Sequence, residues 1–270
     1  MMSIVRRPAV AGAFYSDDPD TLFSEIKAFL GAAKTDAPPF APKAIVVPHA
    51  GYVYSGPVAA SAYKLLGPSK GLIKKVVLLG PCHRVALRGA ALSSANAFLT
   101  PLGQVKIDHS MDGVLLNLPQ VSVFDATHTQ EHSLEVQLPF LQTVLGDDFE
   151  LIPMVVGDAS ADEIKEILET LWGGDETLVV ISSDLSHYLN YQGAKKVDGE
   201  TCKAIESLDG EAIGDYQACG RIALKGLLKI AAEKNLTPTT LDLRNSGDTA
   251  GPQDRVVGYG AWAFNEKSQH

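Results

Sequence analysis

The chain has 270 residues, of which 46% are hydrophobic and 20% are charged, and its formal net charge is −9. This length and composition suit one large α/β domain or two small ones. An acidic chain without a Lys/Arg-rich stripe argues against nucleic acid as a partner, and no apolar run approaches the roughly 18–20 residues that cross a bilayer. With three cysteines and no apolar signal-peptide core, we expect a cytoplasmic protein with reduced thiols and no membrane contact.

Helical and strand-like patterns alternate along the first part of the chain. Apolar residues at helical spacing predict a helix over residues 20–33. The Pro-rich stretch at 34–42 has the composition of a linker, but it is too short to prove a domain boundary. Short apolar runs predict buried strands at 44–47 and 75–79. Between them we expect a helix over residues 57–66, with the proline as its first residue.

The same alternation continues to the end of the chain. The predicted elements are weak strands at 89–93 and 103–107, a helix over 131–145 kinked at Pro139, a strand at 150–156, a helix over 161–171, a strand at 177–182, a helical region over 193–234 broken near Gly210 and Gly220, and closing strands at 239–243 and 255–264. Strands that alternate with helices predict an α/β fold, a three-layer α/β/α sandwich around a central mixed, largely parallel sheet.

Three of the apolar runs end at a short polar turn that carries a histidine. These histidines are His49, His83 and His187. In open α/β sheets, ligands bind in the crevice beyond the carboxyl ends of the strands. If the three strands are parallel neighbours, the histidines converge at one place, which indicates a metal or proton-transfer site.

The third of these turns also carries an acidic residue, Asp184. Together with Ser182 and Ser183 it could cap a following helix. Alternatively, Asp184 orients an imidazole or supports a metal-bound histidine. In that case His187 is a candidate general base, because an imidazole titrates near neutral pH.

A second histidine-rich segment contains His128 and His132, which would share one face of a helix. This spacing occurs among zinc ligands. The metalloprotease signature needs a glutamate directly after the first histidine, and Thr129 stands there, so a zinc protease is disfavoured. The simpler interpretation is a helix N-terminus at which Glu131 and Glu135 complement the helix dipole.

Cys219 is the strongest candidate for a metal-binding cysteine. It precedes Gly220, where one predicted helix breaks and the next begins. A helix N-terminus would lower the pKa of the thiol and favour the metal-binding thiolate, although a small buried apolar side chain is an equal alternative. Cys202 lies on a helical run and is expected in the core.

Ordered motifs spread over nearly the whole chain resemble those of the Memo family. The motifs are Arg6-Arg7-Pro8-Ala9-Val10-Ala11-Gly12-Ala13-Phe14-Tyr15, Pro48-His49-Ala50-Gly51-Tyr52, Leu79-Gly80-Pro81-Cys82-His83, Glu131-His132-Ser133-Leu134-Glu135, Ser182-Ser183-Asp184 with His187, and Cys219-Gly220. The family is similar in fold to the class III extradiol ring-cleaving dioxygenases, which are α/β/α sandwiches with non-haem iron. The resemblance therefore implies one domain over residues 1–270.

The resemblance also implies a set of functional residues. Carried over residue by residue, the metal ligands would be His49, His83 and Cys219, and His187 with Asp184 would be the catalytic pair. A cysteine in place of the usual carboxylate makes the site softer. We therefore expect a divalent or redox-active metal, with Fe(II) or Cu favoured over Zn, and a departure from classical ring cleavage.

Two principal functions fit these residues, with a zinc hydrolase that uses His128 and His132 as a third hypothesis. The first is a metal-dependent, oxygenase-like redox protein that acts on an unknown small molecule or peptide. The alternative is a non-catalytic peptide-binding or protein-binding module with a vestigial dioxygenase crevice. The side chains expected to contact the bound molecule are Tyr52, Tyr54 and His132, with Tyr188 and Arg84 at the rim. The name of the prokaryotic Memo proteins, AmmeMemoRadiSam system protein B, implies a radical-SAM partner.

Overall fold

The computed structural model of the protein describes residues 4–34 and 42–266. The predicted linker at 34–42 therefore lies mainly outside the described residues. Within the two described stretches, no helix is both long enough and apolar enough to cross a membrane.

The N-terminal elements follow the predicted order, with one helix that starts early. They are β1 (Val5–Arg6), α1 (Pro19–Ala32), β2 (Ala44–Val47), α2 (Tyr52–Tyr63), a 3₁₀ turn (Lys64–Ser69) and β3 (Lys75–Pro81). The prediction that Pro57 begins α2 was wrong, because the helix begins at Tyr52 and Pro57 lies inside it. The ring of Tyr52 is buried against Tyr15 and Phe140. This burial at the start of the helix offsets the loss of the one backbone hydrogen bond that Pro57 cannot donate.

The middle of the chain contains short elements. They are β4 (Ala90–Leu92), β5 (Ala97–Thr100), β6 (Gly103–Lys106), α3 (Asp112–Leu115), β7 (Val121–Val123), α4 (Asp125–Thr129), a 3₁₀ turn (Glu135–Gln137) and α5 (Leu138–Leu145). The predicted helix over 131–145 is therefore shorter, and residues 131–134 are not helical. Pro139 lies in the first turn of α5, a position that tolerates proline because the first backbone N–H groups of a helix have no partner within it.

The C-terminal elements match the predicted alternation closely. They are β8 (Glu150–Val156), α6 (Ala161–Leu171), β9 (Thr177–Ser182), β10 (His187–Leu189), α7 (Tyr191–Glu206), a 3₁₀ turn (Gly210–Ala212), α8 (Arg221–Glu233), β11 (Leu236–Asn245), α9 (Ser246–Thr249) and β12 (Val256–Glu266). The bounds of α6 agree with the prediction because its signals are strong. Ser160 and Glu163 form a capping box, and its apolar face is buried.

Nine strands form one large mixed sheet in the order β10-β12-β2-β9-β3-β8-β4-β7, with β11 paired to β12, and β1, β5 and β6 form a separate three-stranded sheet. Strands β2, β9, β3 and β8 are parallel neighbours, whereas β12 is antiparallel to β2 and β4 is antiparallel to β8. Apolar residues of α1, α2 and α5 pack on one face of the sheet, and those of α6, α7 and α8 pack on the other. The predicted three-layer α/β/α sandwich with a mixed, largely parallel sheet is confirmed.

A buried ion pair between Arg6 and Glu135 ties the N-terminal segment to the middle of the chain. Both side chains lie in the interior. The guanidinium of Arg6 also donates to the carbonyl oxygens of His128, at 3.0 Å, and Glu131, at 2.6 Å. Glu135 accepts hydrogen bonds from the hydroxyl of Tyr15, at 2.5 Å, and from two backbone N–H groups of the N-terminal segment. Glu135 thus has a structural partner and does not serve the helix dipole.

Replacing Arg6 by methionine should leave the carboxylate of Glu135 buried without its partner. Loss of one member of a buried, hydrogen-bonded ion pair costs about 3–5 kcal/mol of unfolding free energy, and urea unfolding would measure it. Arg88→Met is the matched control, because the pair that Arg88 forms with Glu163 is largely exposed. Equal losses of stability in the two variants would contradict the structural role given to Arg6.

Candidate metal centre

Three imidazoles meet beyond the carboxyl ends of the parallel strands. His49 follows β2 and His83 follows β3, as predicted, and the third member is His132 from the turn before the 3₁₀ segment. One possible ligand atom from each ring lies within 4.8 Å of the other two. The ring centroids are 5.3 Å apart for His49 and His83, 5.4 Å for His49 and His132, and 4.7 Å for His83 and His132. We call His49, His83 and His132 the imidazole cluster.

His187 does not join the imidazole cluster, so the prediction that all three strand-end histidines converge was wrong for this residue. The chain continues beyond β9 through a buried turn, and His187 begins β10, where it pairs with Val257 of β12. Its side chain is exposed. Its Nδ1 lies 2.8 Å from the carbonyl oxygen of Leu185, which can only accept a hydrogen bond. Nδ1 therefore carries the proton, and Nε2 has a free lone pair.

A chain of buried hydrogen bonds fixes which nitrogen of His49 is protonated. The hydroxyl of Ser182 donates its hydrogen to the carbonyl oxygen of Ser133 at 2.6 Å, and it accepts a hydrogen bond from the amide of Gln137 at 2.8 Å. The Nδ1 of His49 lies 2.8 Å from the same hydroxyl oxygen. Since Ser182 has no second hydrogen to donate, Nδ1 must be the donor. The Nε2 lone pair of His49 then faces the other two rings.

The amide of Gln137 is itself held in one orientation. Its Oε1 accepts from the hydroxyl of Tyr63 at 2.9 Å, and its Nε2 donates to the carbonyl oxygen of Pro48 at 2.9 Å. A flipped amide would place two acceptors face to face at Pro48. The assignment of His49 therefore depends on a connected network of side chains.

Glu131 fixes His83 in the same way. One carboxylate oxygen lies 2.8 Å from Nδ1 of His83, and the other accepts its backbone N–H at 2.6 Å. The backbone N–H groups of His132 and Ser133 also donate to Glu131, each at 2.9 Å. Burial raises the pKa of Glu131, but the hydrogen bonds that its carboxylate accepts from the ring and backbone of His83 and from the backbone of Ser133 outweigh burial and lower the pKa to about 2. The ionised carboxylate receives the Nδ1 proton and leaves Nε2 of His83 free.

The remaining ring, His132, has an unsatisfied nitrogen. Its Nδ1 is buried and lies 3.3 Å from Glu131 without the alignment of a hydrogen bond, so it has no hydrogen-bond partner in the described part of the chain. Burial lowers the pKa of His132 and outweighs the charge of Glu131, which raises it. Burial also lowers the pKa of His49 well below its ordinary value, with further lowering from the other two rings. Burial at His49 and His132 therefore favours unprotonated rings, the form that binds metal.

Cys219 lies beside the imidazole cluster, and its Sγ is 3.2 Å from Nε2 of His49. It stands directly before the N-cap residue of α8. Of the two alternatives that the sequence left open for Cys219, a thiol with a lowered pKa is not the one observed, because burial and then the charge of Asp184 raise its pKa to about 12. A coordinated metal ion would be required to deprotonate it. Sγ lies outside the mutually close ligand atoms of the imidazole cluster.

Asp184 holds the turn that carries His49. One of its oxygens accepts the backbone N–H of His49 at 2.7 Å and that of Ala50 at 3.3 Å. The other lies 4.0 Å from Nε2 of His49. The predicted hydrogen-bonded orientation of His187 by Asp184 is not observed, because the ring of His187 is held by the carbonyl of Leu185.

A cavity of about 410 Å³ opens beside the imidazole cluster. His132, Asp184 and His187 line it together with Tyr54 and Tyr188. This places both predicted members of the catalytic pair and two of the predicted aromatic contacts at one crevice.

Other predicted site residues lie elsewhere. Tyr52 was wrongly predicted to contact a substrate, since its ring is 2% exposed and its hydroxyl donates to the carbonyl of Val136. His128 was wrongly predicted to share a helix face with His132, because α4 ends at Thr129 and the Nε2 of His128 lies 3.1 Å from the carbonyl of Ala91. Cys202 is buried in the core, as predicted.

Comparison with known proteins identifies the family. The chain matches the sequence profile of the Memo-like proteins over residues 6–263. It is 37% identical over 265 residues to a MEMO1 family protein of Aquifex aeolicus, covering 94% of this chain and 97% of that protein. A MEMO1 family protein of Sulfolobus acidocaldarius is 32% identical over 285 residues, with 97% and 100% covered. The chain belongs to the Memo family.

The resemblance that the motifs indicated is thus confirmed. Among solved structures, an uncharacterised protein of Escherichia coli K12 is similar to this Memo family chain with a TM-score of 0.50 and 11% identity, covering 80% of this chain and 98% of that one. At this level of identity the similarity shows a shared fold.

Sequence reasoning missed several residues of the site in this Memo family member. His132 was assigned to substrate contact and not to the imidazole cluster. Glu131 was assigned to a helix dipole, and Ser182 to a helix cap. Glu131 stands directly before His132, and Ser182 is the last residue of a predicted strand. Polar residues at these positions were a usable signal, since ligating histidines usually donate their second ring N–H to a carboxylate, carbonyl or hydroxyl.

Replacing Ser182 by alanine should remove the group that fixes the tautomer of His49. Loss of such a partner typically weakens metal binding by about 10–100-fold, which titration of metal-free protein with Co(II) or Zn(II) in a calorimeter would measure. Ser69→Ala is the matched control, since Ser69 is equally buried and its hydroxyl has no hydrogen-bond partner among the described residues. Similar metal affinities in the two variants would rule out the proposed role of Ser182.

Proposed function

We propose that this protein is a metal-binding redox protein of the oxygenase-like type, acting on a small molecule in the cavity beside the imidazole cluster. The observation that carries the proposal is the direction of the ring nitrogens. His49 and His83 each donate from Nδ1 to a group behind the ring, so both Nε2 lone pairs are available at the place where His132 brings a third imidazole.

The donor set fits a transition metal. Imidazole nitrogens suit iron, copper and zinc, and a thiolate shifts the preference towards softer ions. We propose His49, His83 and Cys219 as ligands, because the Sγ of Cys219 and the Nε2 of His49 face the same volume at 3.2 Å. His132 supplies a further imidazole within reach. When bound, Fe(II) or Cu would supply electron transfer and a Lewis acid at the floor of the crevice.

The remaining polar residues of the crevice can manage protons and position. His187 lines the cavity with a free Nε2 lone pair, so it can accept a proton from a bound molecule and return it. The carboxylate of Asp184 keeps His49 in place through two backbone N–H groups. Proton transfer by His187 and positioning by Asp184 are therefore separate roles.

A binding module with a vestigial crevice is the second candidate. It is favoured by the exposure of Tyr54 and Tyr188, which line the cavity and could contact a ligand without any metal. This candidate differs from the first in requiring no metal ion, so metal content separates the two.

Metal analysis of protein purified without oxygen should distinguish the redox protein from the metal-free binding module. Plasma mass spectrometry should find stoichiometric metal in the wild type and its loss in the double variant His49→Ala/His83→Ala, because two of the proposed ligands are gone. His109→Ala is the matched control, since His109 pairs with Asp112 and is not part of the imidazole cluster. Equal metal in the wild type and the double variant would contradict the proposal. Full metal retention in Cys219→Ser would remove the thiolate from the ligand set.

A further inference from the structure

Arg255 brings a positive charge to the wall of the cavity beside the imidazole cluster. Among the described residues that line this cavity it is the one arginine or lysine. Its guanidinium carbon lies 4.5 Å from the centroid of the Tyr188 ring, in a cation–π contact. It forms no ion pair with a carboxylate of the described residues. Its flat group of N–H donors is therefore oriented by Tyr188 and open to a ligand.

The residue that orients the guanidinium is itself held in an unfavourable conformation. Tyr188 has a φ of 62°, in the left-handed region that a bulky side chain rarely adopts. It stands between His187 and Leu189, which both pair with β12 just after Arg255. Such a conformation costs on the order of 1–3 kcal/mol and persists where the surrounding structure imposes it, commonly at ligand sites. It keeps the ring beneath the guanidinium and at the cavity.

Tyr259 offers a second hydrogen-bond donor at the wall of this cavity. The residue is 2% exposed and lines the cavity. Its hydroxyl makes no hydrogen bond to another described residue and is not among the buried unsatisfied polar atoms, so it is open to a group in the cavity. Burial raises the pKa of Tyr259, and the charge of Asp184 raises it further, so the hydroxyl keeps its proton and can donate it to a bound group.

The rest of the cavity wall suits a flat molecule. The aromatic rings of Phe14, Tyr54 and Tyr188 line the space, and the edge of Phe14 lies against His132, with 4.9 Å between the ring centroids. The volume of about 410 Å³ is at the small end of ligand sites. Asp184 is the one carboxylate among the described residues that line the space, and one of its oxygens is occupied by two backbone N–H groups.

We propose that the cavity binds a small planar carboxylic acid, with its carboxylate on Arg255 and Tyr259 and its flat body against the aromatic wall. This assignment names the substrate class of the oxygenase-like function and rests on that proposal. A planar acid fits better than a flexible one, because the wall offers ring faces and because a carboxylate matches the fork of guanidinium donors.

Calorimetric titration of the full-length, metal-loaded protein with benzoate tests this assignment, with benzamide as a neutral analogue of the same shape. Wild-type protein should bind benzoate at least tenfold more tightly than benzamide. Arg255→Gln should weaken benzoate binding at least tenfold and leave benzamide binding unchanged, while Arg255→Lys restores part of the affinity. Tyr259→Phe should weaken benzoate binding severalfold. Melting temperatures identify any variant that has lost its fold, and the exposed position of Arg255 makes such a loss unexpected.

Arg84→Gln is the matched comparison, because Arg84 was the arginine expected from the sequence to hold an anion and it does not line the cavity. The assignment is overturned if Arg84→Gln weakens benzoate binding and Arg255→Gln does not, or if benzoate and benzamide bind equally. Binding of phenyl phosphate more than tenfold tighter than benzoate would overturn the carboxylate class in favour of phosphate esters. Repeating the titration with metal-free protein separates the carboxylate site from the redox function. If the protein never takes up metal but its benzoate binding still depends on Arg255, the carboxylate site is supported and the redox function is refuted.

Discussion

The hydrogen bonds that converge on the carboxylate of Glu131 organise the site on which the functional account depends. Four N–H groups meet there, two from His83 and one each from His132 and Ser133. A single buried charge thereby sets the ring orientation of His83 and the backbone that presents His132. Arg6 adds a further restraint by donating to the backbone carbonyl of Glu131. The N-terminal segment is thus part of the support of the site, although it contributes no residue to the imidazole cluster.

The parallel strands provide the second part of the arrangement. Because β2, β9 and β3 are neighbours in register, their carboxyl ends deliver His49, the Ser182 hydroxyl and His83 to the same edge of the sheet. The strand-end pattern was readable from the sequence, since long β-branched runs predict buried parallel strands and these strands open onto a ligand crevice. The fold class and the positions of His49 and His83 followed from it.

The parts that the sequence did not predict depend on tertiary contacts. Residues 131–134 have a helical pattern, yet Glu131 is drawn into the interior by the N–H groups it accepts, and the resulting turn swings His132 into the imidazole cluster. His187 looked equivalent to the other two strand-end histidines, but the chain passes through a buried turn before reaching it. The position of Cys219 before a helix likewise did not predict its pKa, which burial and the charge of Asp184 raise, because desolvation disfavours a thiolate.

The central claim is that the imidazole cluster holds a transition metal through the Nε2 atoms of His49 and His83. Anomalous difference maps from crystals grown without oxygen, recorded above and below the iron and copper absorption edges, test it most directly. The account predicts one peak at coordination distance from both Nε2 atoms, with His132 and Cys219 around it. A map without a peak at the imidazole cluster, or with its strongest peak at His128 or elsewhere, would contradict the account.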